Sequence, residues 1–289
     1  MTIDSEHDFV LERRLHELDP ALHRRFTDAV FSLQHILSNY KLLFPTFTDH
    51  TELHSLTVID FCNKLIGDQI GRMNVDEIYV LLMGCYFHDT GMGISEKDYR
   101  QFSQEIDFGD YFETHSRDDL PRIIRDFHNE FSGRFIRKYA DFFEIPSQNH
   151  LWAIIEVSRG HRKTSLLDEK EYPLAMPTMD GNTVCLPYLS ALIRLADEID
   201  VSSSRNSGLL YDINSIEDNV YHQKIKAIRE VVVSQEAFTL LFDKTYINLM
   251  DVIRKDVEKM QKTLDDCRQA VLSRTPFLIT QKRIEIEVI

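Results

Sequence analysis

Apolar residues recur at intervals of three and four over most of the chain, the period of helices that bury one face. Val10, Leu11, Leu15, Leu18, Leu22, Phe26, Val30, Leu33 and Ile36 follow it across residues 9–39, and Pro20 is expected to split that stretch into two helices. Pro45 marks a connector. Thr48 or Asp49 is then placed to cap a helix whose face is Leu53, Val58, Cys62, Leu65 and Ile66. The next helix, opened by Asn74, is apolar on nearly all sides through Ile78–Phe87, which predicts burial all round. Residues 93–121 read as irregular or peripheral. Pro121 is placed to start a helix to about Tyr139, Pro146-Ser147 precede another over Leu151–Arg159, residues 162–186 read as a loop, and Pro187 opens a helix through Ile199.

The period changes after about residue 205. Lys226–Val233 alternates in part and faces Phe238–Phe242 across Ser234-Gln235-Glu236, which predicts a small β-hairpin. A long charged helix is expected over Tyr246–Ser273, and Arg283–Ile289 alternates as a strand does. The expected fold class is mainly α: a helical bundle over residues 1–210, with a small α+β part, hairpin, long helix and terminal strand, over residues 211–289.

Composition removes several classes. With 289 residues, 43% of them hydrophobic, the chain can bury an independent core and is not disordered. No run of 18 apolar residues predicts a transmembrane helix, and the opening MTIDSEHDFV lacks the basic and apolar regions of a signal peptide. Cys62, Cys85, Cys185 and Cys267 are far apart and form no CxxC pair, so neither a disulfide framework nor a zinc ribbon is expected, and a reducing, cytoplasmic setting fits. A net charge of −14 argues against broad nucleic-acid affinity, since phosphate binding needs clustered Lys and Arg.

The candidate chemistry lies in spaced histidines and aspartates. His54 falls within one predicted helix, His88-Asp89 end the next, and His128, His161 and Asp197 follow on later ones. Successive gaps of 34, 39, 33 and 36 residues give about one polar ligand per helix and loop, which is how a helical bundle assembles a metal site. Imidazole and carboxylate suit Mn, Fe, Co, Ni or Zn, and carboxylate-rich sites suit Mg or Mn. Two such ions about 3.5–4 Å apart can hold a phosphate, activate water and stabilise the leaving oxygen. His50 lies one turn before His54 on the same face, and could replace it as ligand, support it, or touch substrate.

These residues resemble the HD superfamily of metal-dependent phosphohydrolases. The resemblance rests on Asp49-His50-Thr51-Glu52-Leu53-His54-Ser55, on Phe87-His88-Asp89-Thr90-Gly91-Met92 and on Arg194-Leu195-Ala196-Asp197-Glu198-Ile199-Asp200, and it covers about residues 45–205. Within the superfamily the motifs look like the HD-CE branch, often found beside Hsp90-like ATPase domains. Arg125-x-x-His128 and Ser158-Arg159-Gly160-His161 match the two extra histidines of members with a two-metal site. The resemblance implies His54, His88, Asp89 and Asp197 as the core metal ligands, Asp89 bridging, and His128 and His161 holding a second ion. It implies divalent metal cofactors, two in number and drawn from Mn, Fe, Mg, Ni or Co, and hydrolysis of a phosphoester or phosphoanhydride by metal-activated water. Arg205, Arg162 and Lys163 are candidate phosphate contacts because their cations pair with phosphate. The expected substrate is a phosphate-containing small molecule, a nucleotide or cyclic nucleotide. The alternatives are a single-strand nuclease, or a nucleotide-sensing regulatory module serving a partner ATPase. A homo-oligomer is compatible with the charged C-terminal helix. Met92 and Glu171-Tyr172-Pro173 depart from the cyclic-di-GMP-hydrolysing HD-GYP pattern, which carries lysine at the first position and Gly-Tyr-Pro, so that substrate is not expected.

Overall fold

The computed structural model describes residues 10–45, 50–179, 181–203 and 220–289, apart from the side chain of Tyr221. It is mainly α-helical with two small sheets. The first two helices, α1 (Val10–Leu18) and α2 (Pro20–Leu37), divide at Asp19, whose carboxylate accepts hydrogen bonds from the Ala21 and Leu22 amides. A short α3 (Tyr40–Leu43) follows, and then α4 (Glu52–Ile66). The N-cap position of α4 is Thr51; Thr48 and Asp49, the expected caps, lie outside the described residues.

Helix α5 (Val75–Phe87) is the hub of the bundle. Asn74 and Glu77 close a reciprocal capping box at its start, and every residue from Asp76 to Phe87 is buried. Burial of each large side chain contributes about 1.5–3 kcal/mol, so an all-round apolar helix is stable only at the centre. Around it pack α1, α2, α4, α9 (Gln148–Arg159) and α10 (Leu186–Ile199). Residues 93–121 are not wholly irregular, since they hold short helices α6 (Glu96–Phe102) and α7 (Tyr111–Thr114). The aromatic rings of Phe108, Tyr111 and Phe112 pack on one another and on Phe127 of α8 (Leu120–Tyr139). The loop before α10 contains a two-residue hairpin, β1 (Met176–Pro177) with β2 (Thr183–Val184), which periodicity could not reveal at that length.

Among the described residues of the C-terminal part, the first element is a helix the sequence pattern did not predict, α11 (Val220–Ala227). Strands β3 (Ile228–Val233) and β4 (Ala237–Phe242) form the expected antiparallel hairpin. Helix α12 (Met250–Arg274) packs along α10 and β5. The final strand, β5 (Arg283–Val288), adds to β4 in parallel, with Phe238 opposite Ile284 and Leu240 opposite Ile286. A parallel partner needs a crossover, and α12 supplies it.

Candidate metal centre

His88 and Asp89 sit where α5 ends, and a tight turn over Thr90–Gly93 follows. Ser132 of α8 holds that turn from both sides: its hydroxyl donates to the His88 carbonyl (2.7 Å) and accepts from the Gly91 amide (2.8 Å). A Cβ on Gly91 would lie 2.1 Å from the His128 carbonyl oxygen, so only glycine lets α8 approach. The second close approach is at Gly160, where a Cβ would fall 2.5 Å from the Ser190 Cβ of α10. Arg194 of α10 fixes the turn after it, donating to the Gly160 carbonyl (2.8 Å) and to the Thr164 carbonyl (3.0 Å). These contacts bring His128, His161 and Asp197 to the end of α5.

Four imidazoles share one pattern. Nδ1–H of His88 donates to the Cys85 carbonyl (2.8 Å), that of His128 to Arg125 (2.8 Å), and that of His161 to Ser158 (2.6 Å). In α8 the backbone leaves helical geometry at Phe127, next to His128. Nδ1–H of His54 donates to the buried Asp200 carboxylate at 2.7 Å. An imidazole that donates from Nδ1 carries a lone pair on Nε2. All four Nε2 atoms point inward, 3.1 Å apart for His54 and His88 and 2.8 Å apart for His128 and His161. Two acceptors at such distances repel unless a cation or a proton lies between them. Burial, with His128 and His88 alongside, pushes His161 well below the ordinary histidine range and so disfavours the proton.

The carboxylates complete the set. Asp89 Oδ2 lies 3.4 Å from Nε2 of both His54 and His88, while its Oδ1 lies 3.2 Å from His128 Nε2. Asp197 Oδ1 is 3.3 Å from His54 Nε2. Donor atoms bound to one ion at about 2.0–2.1 Å are themselves about 3.0–3.4 Å apart, so nearly all these separations are those of neighbouring ligands. Burial alone would raise the Asp89 carboxyl pKa, but the imidazoles of His88 and His50, with His128 alongside and the hydrogen bond from His50, outweigh it and hold it well below the carboxylate range. Asp197 is likewise lowered against burial by the adjacent His54 and His88 imidazoles. Ionised carboxylates and a neutral imidazole are the states that bind a metal. The residues fit divalent metal: His54, His88 and Asp197 bring donor atoms within reach of one ion, as do Asp89, His128 and His161, and His50, His54 and Asp89.

The other candidates are placed less uniformly. His50 joins the cluster, its Nδ1 donating to Asp89 Oδ2 at 2.7 Å. Arg162 lines the adjoining cavity and donates to the Arg125 carbonyl (3.3 Å). Lys163 is not among the residues lining it: its backbone is left-handed, and its ammonium donates to the Asp126 carbonyl (2.5 Å) and lies over the Phe127 ring. Arg205 lies outside the described residues. Sequence reasoning missed Arg125, Lys224 and Lys259, which line the cavity, and did not count Asp200 among the site residues. The three-residue spacing of Arg125 to His128 and of Asp197 to Asp200 hinted at Arg125 and Asp200, and no local signal marked Lys224 or Lys259.

The HD-CE family model matches residues 44–266. The chain belongs to the HD-CE family. The match reaches past the histidines into α12, so the C-terminal hairpin and most of the long helix are part of the HD-CE unit. Comparisons with curated proteins and with solved structures found no match. Among the described residues of this HD-CE protein, no helix is long and apolar enough to cross a membrane.

Proposed function

We propose that this HD-CE protein is a metal-dependent phosphohydrolase that cleaves a phosphoester or phosphoanhydride bond of a nucleotide or cyclic nucleotide in the cytoplasm. The observation that carries the reading is Asp89, whose two carboxylate oxygens face two different histidine sets. Four buried thiols, none in a disulfide, suit a reducing compartment.

On this reading His54, His88, Asp89 and Asp197 would hold one ion, and Asp89, His128 and His161 would hold another. Two such ions, when bound, polarise the phosphoryl oxygens, activate water and stabilise the leaving oxygen. The chain's own residues do the rest. Asp200 fixes the His54 tautomer and raises its basicity as a donor. The backbone carbonyls of Cys85, Arg125 and Ser158 do the same for the other three rings. His50 holds the orientation of the Asp89 carboxylate. Arg162 and Arg125, at the His128 side of the cavity, present guanidinium groups to the phosphate.

The test is product formation by protein loaded with Mn, Fe, Ni, Co or Mg: phosphate or pyrophosphate from nucleotides, nucleoside monophosphate from cyclic nucleotides, and p-nitrophenol from p-nitrophenyl phosphate. Turnover should need metal and disappear in Asp89→Ala. A demonstrated hydrolysis that survives complete metal removal would overturn the mechanism.

A further inference from the structure

His128 and His161 reach the metal centre from different elements, α8 and the turn that ends α9. Each ring takes its orientation from its own segment, through the carbonyl three residues before it. The 2.8 Å between their Nε2 atoms is not a local quantity. It follows from how α8 lies against the end of α9. Metal–ligand distances hold to about 0.2 Å, so an ion shared by these two rings needs that crossing fixed.

An ion pair spans the crossing beside the rings. Arg159 stands two residues before His161, and Glu130 two residues after His128. Arg159 Nε donates to both oxygens of Glu130 at 3.1 Å, and Nη2 donates to Oε1 at 2.8 Å. Such a fork sets direction as well as distance. The side chains are 20% and 25% exposed, so salt and water screen the pair only in part. A cavity of about 120 Å³ lies against it, with Gly133 of α8 and Ile155 of α9 among its walls, so packing leaves a gap that the ion pair bridges. Nη1 of the same guanidinium meets Glu156 (2.7 Å) and Glu171 (2.8 Å). Glu156 is on α9 and Glu171 on the loop beyond it, so of these three carboxylates only Glu130 ties α9 to α8.

The other ligands stand elsewhere. His54 is on α4, His88 at the end of α5 and Asp197 on α10, and Ser132 anchors α8 to the turn after His88 by its own hydrogen bonds. We infer that the Arg159–Glu130 pair is a clamp that sets the affinity of the ion at His128 and His161 and leaves the ion at His54, His88 and Asp197 alone. Both are positioning residues that act through the two histidines. The inference rests on the two-ion reading above and adds to it a separate control of the second ion.

The test is a chelator-competition titration of the full chain with Mn²⁺, read beside electron paramagnetic resonance of the loaded protein. The wild type should take about two equivalents and show the spectrum of a coupled pair of ions. Glu130→Ala frees α8 while Arg159 keeps Glu156 and Glu171. It should hold one ion within about twofold of the wild type, weaken the other by about 10–100-fold, and show the spectrum of an isolated ion. Glu130→Gln, which keeps the shape and one acceptor, should weaken the same ion by a smaller factor. In His161→Ala, which removes a ligand of that ion, adding Glu130→Ala should change nothing further. Glu171→Ala removes a partner of the same guanidinium without touching the crossing, and should keep both ions. The inference is overturned if Glu130→Ala binds both ions as the wild type does, loses both to the same extent, or is matched by Glu171→Ala. A wild type that takes only one ion ends the two-ion reading, and this inference with it. Two ions in both the wild type and Glu130→Ala end the inference alone.

Discussion

Helix α5 carries a buried His/Asp cluster at each end, and the two differ in how their hydrogen bonds close. At its start, Asp76 Oδ1 accepts from His150 Nε2 (3.1 Å), and Oδ2 accepts from the Thr178 hydroxyl (2.5 Å) and the Asn182 amide (3.2 Å). His150 Nδ1 in turn meets the Ser147 hydroxyl at 2.9 Å. Every polar atom of that imidazole and that carboxylate has a protein partner. At the other end, partners saturate the outer nitrogens of His54, His88, His128 and His161, and the inner nitrogens face one another. Both clusters are buried and both use the same residue types. Closure marks the first as a tie that fixes α5, α9 and the β1–β2 hairpin together. Convergent lone pairs mark the second as a place for cations.

Substitutions at the two ends should therefore fail in different ways. Asp89→Ala should lose bound metal and lower any metal-dependent turnover by about a thousandfold or more, since it removes a ligand of both groups. Its melting temperature in the presence of chelator should stay near that of the wild type. Asp76→Ala should do the opposite. Metal content should persist, while denaturant titration shows a loss of about 3 kcal/mol, because buried His150 and half-buried Thr178 and Asn182 lose their acceptor. If Asp76→Ala strips the metal as well, the two clusters are not independent.

Asp200→Asn sharpens the comparison within the metal end. It keeps the shape of the His54 partner but removes its charge, and should weaken metal affinity by about 10–100-fold in a competition titration with a chelator.

The smallest effect lies behind His161, where Arg159 bridges Glu130 (2.8 Å), Glu156 (2.7 Å) and Glu171 (2.8 Å). Burial, opposed by Arg159 and aided by Glu171 and Glu130, pushes the Glu156 carboxyl up to about 7. A carboxyl raised in the folded state favours folding below its unfolded value of about 4.5, and that contribution is lost as pH rises through about 7. Glu156→Gln should therefore match the wild type near pH 4 and exceed it above pH 7, by about 1–3 kcal/mol in pH-dependent denaturation. Equal stability at both pH values would contradict the buried, strained placement of Glu156.

What could be read from the chain follows from the range of the interactions involved. Pro20, Asn74, Pro121 and Pro187 act within one turn, so the helix starts they imply are those found at α2, α5, α8 and α10 to within a residue or two. The parallel pairing of β4 with β5 is set by the α12 crossover, and α11 by packing against distant elements, so local period concealed both. The same holds for the site. One histidine or aspartate per helix could be counted along the sequence. That Asp76 is closed off by His150 and its neighbours while His161 faces His128 depends on residues up to 106 positions apart, such as Asn182. Lys163 shows the limit most simply: adjacent to Arg162, it leaves the cavity because its backbone turns left-handed.

The central claim is that the converging Nε2 atoms and the two oxygens of Asp89 are ligands of two ions. Elemental analysis of the purified protein after metal loading, beside Asp89→Ala and Asp76→Ala, tests it most directly. The account predicts about two equivalents of divalent metal in the wild type and in Asp76→Ala, and loss of both in Asp89→Ala. Absence of bound metal from the folded wild type under every loading condition would contradict it.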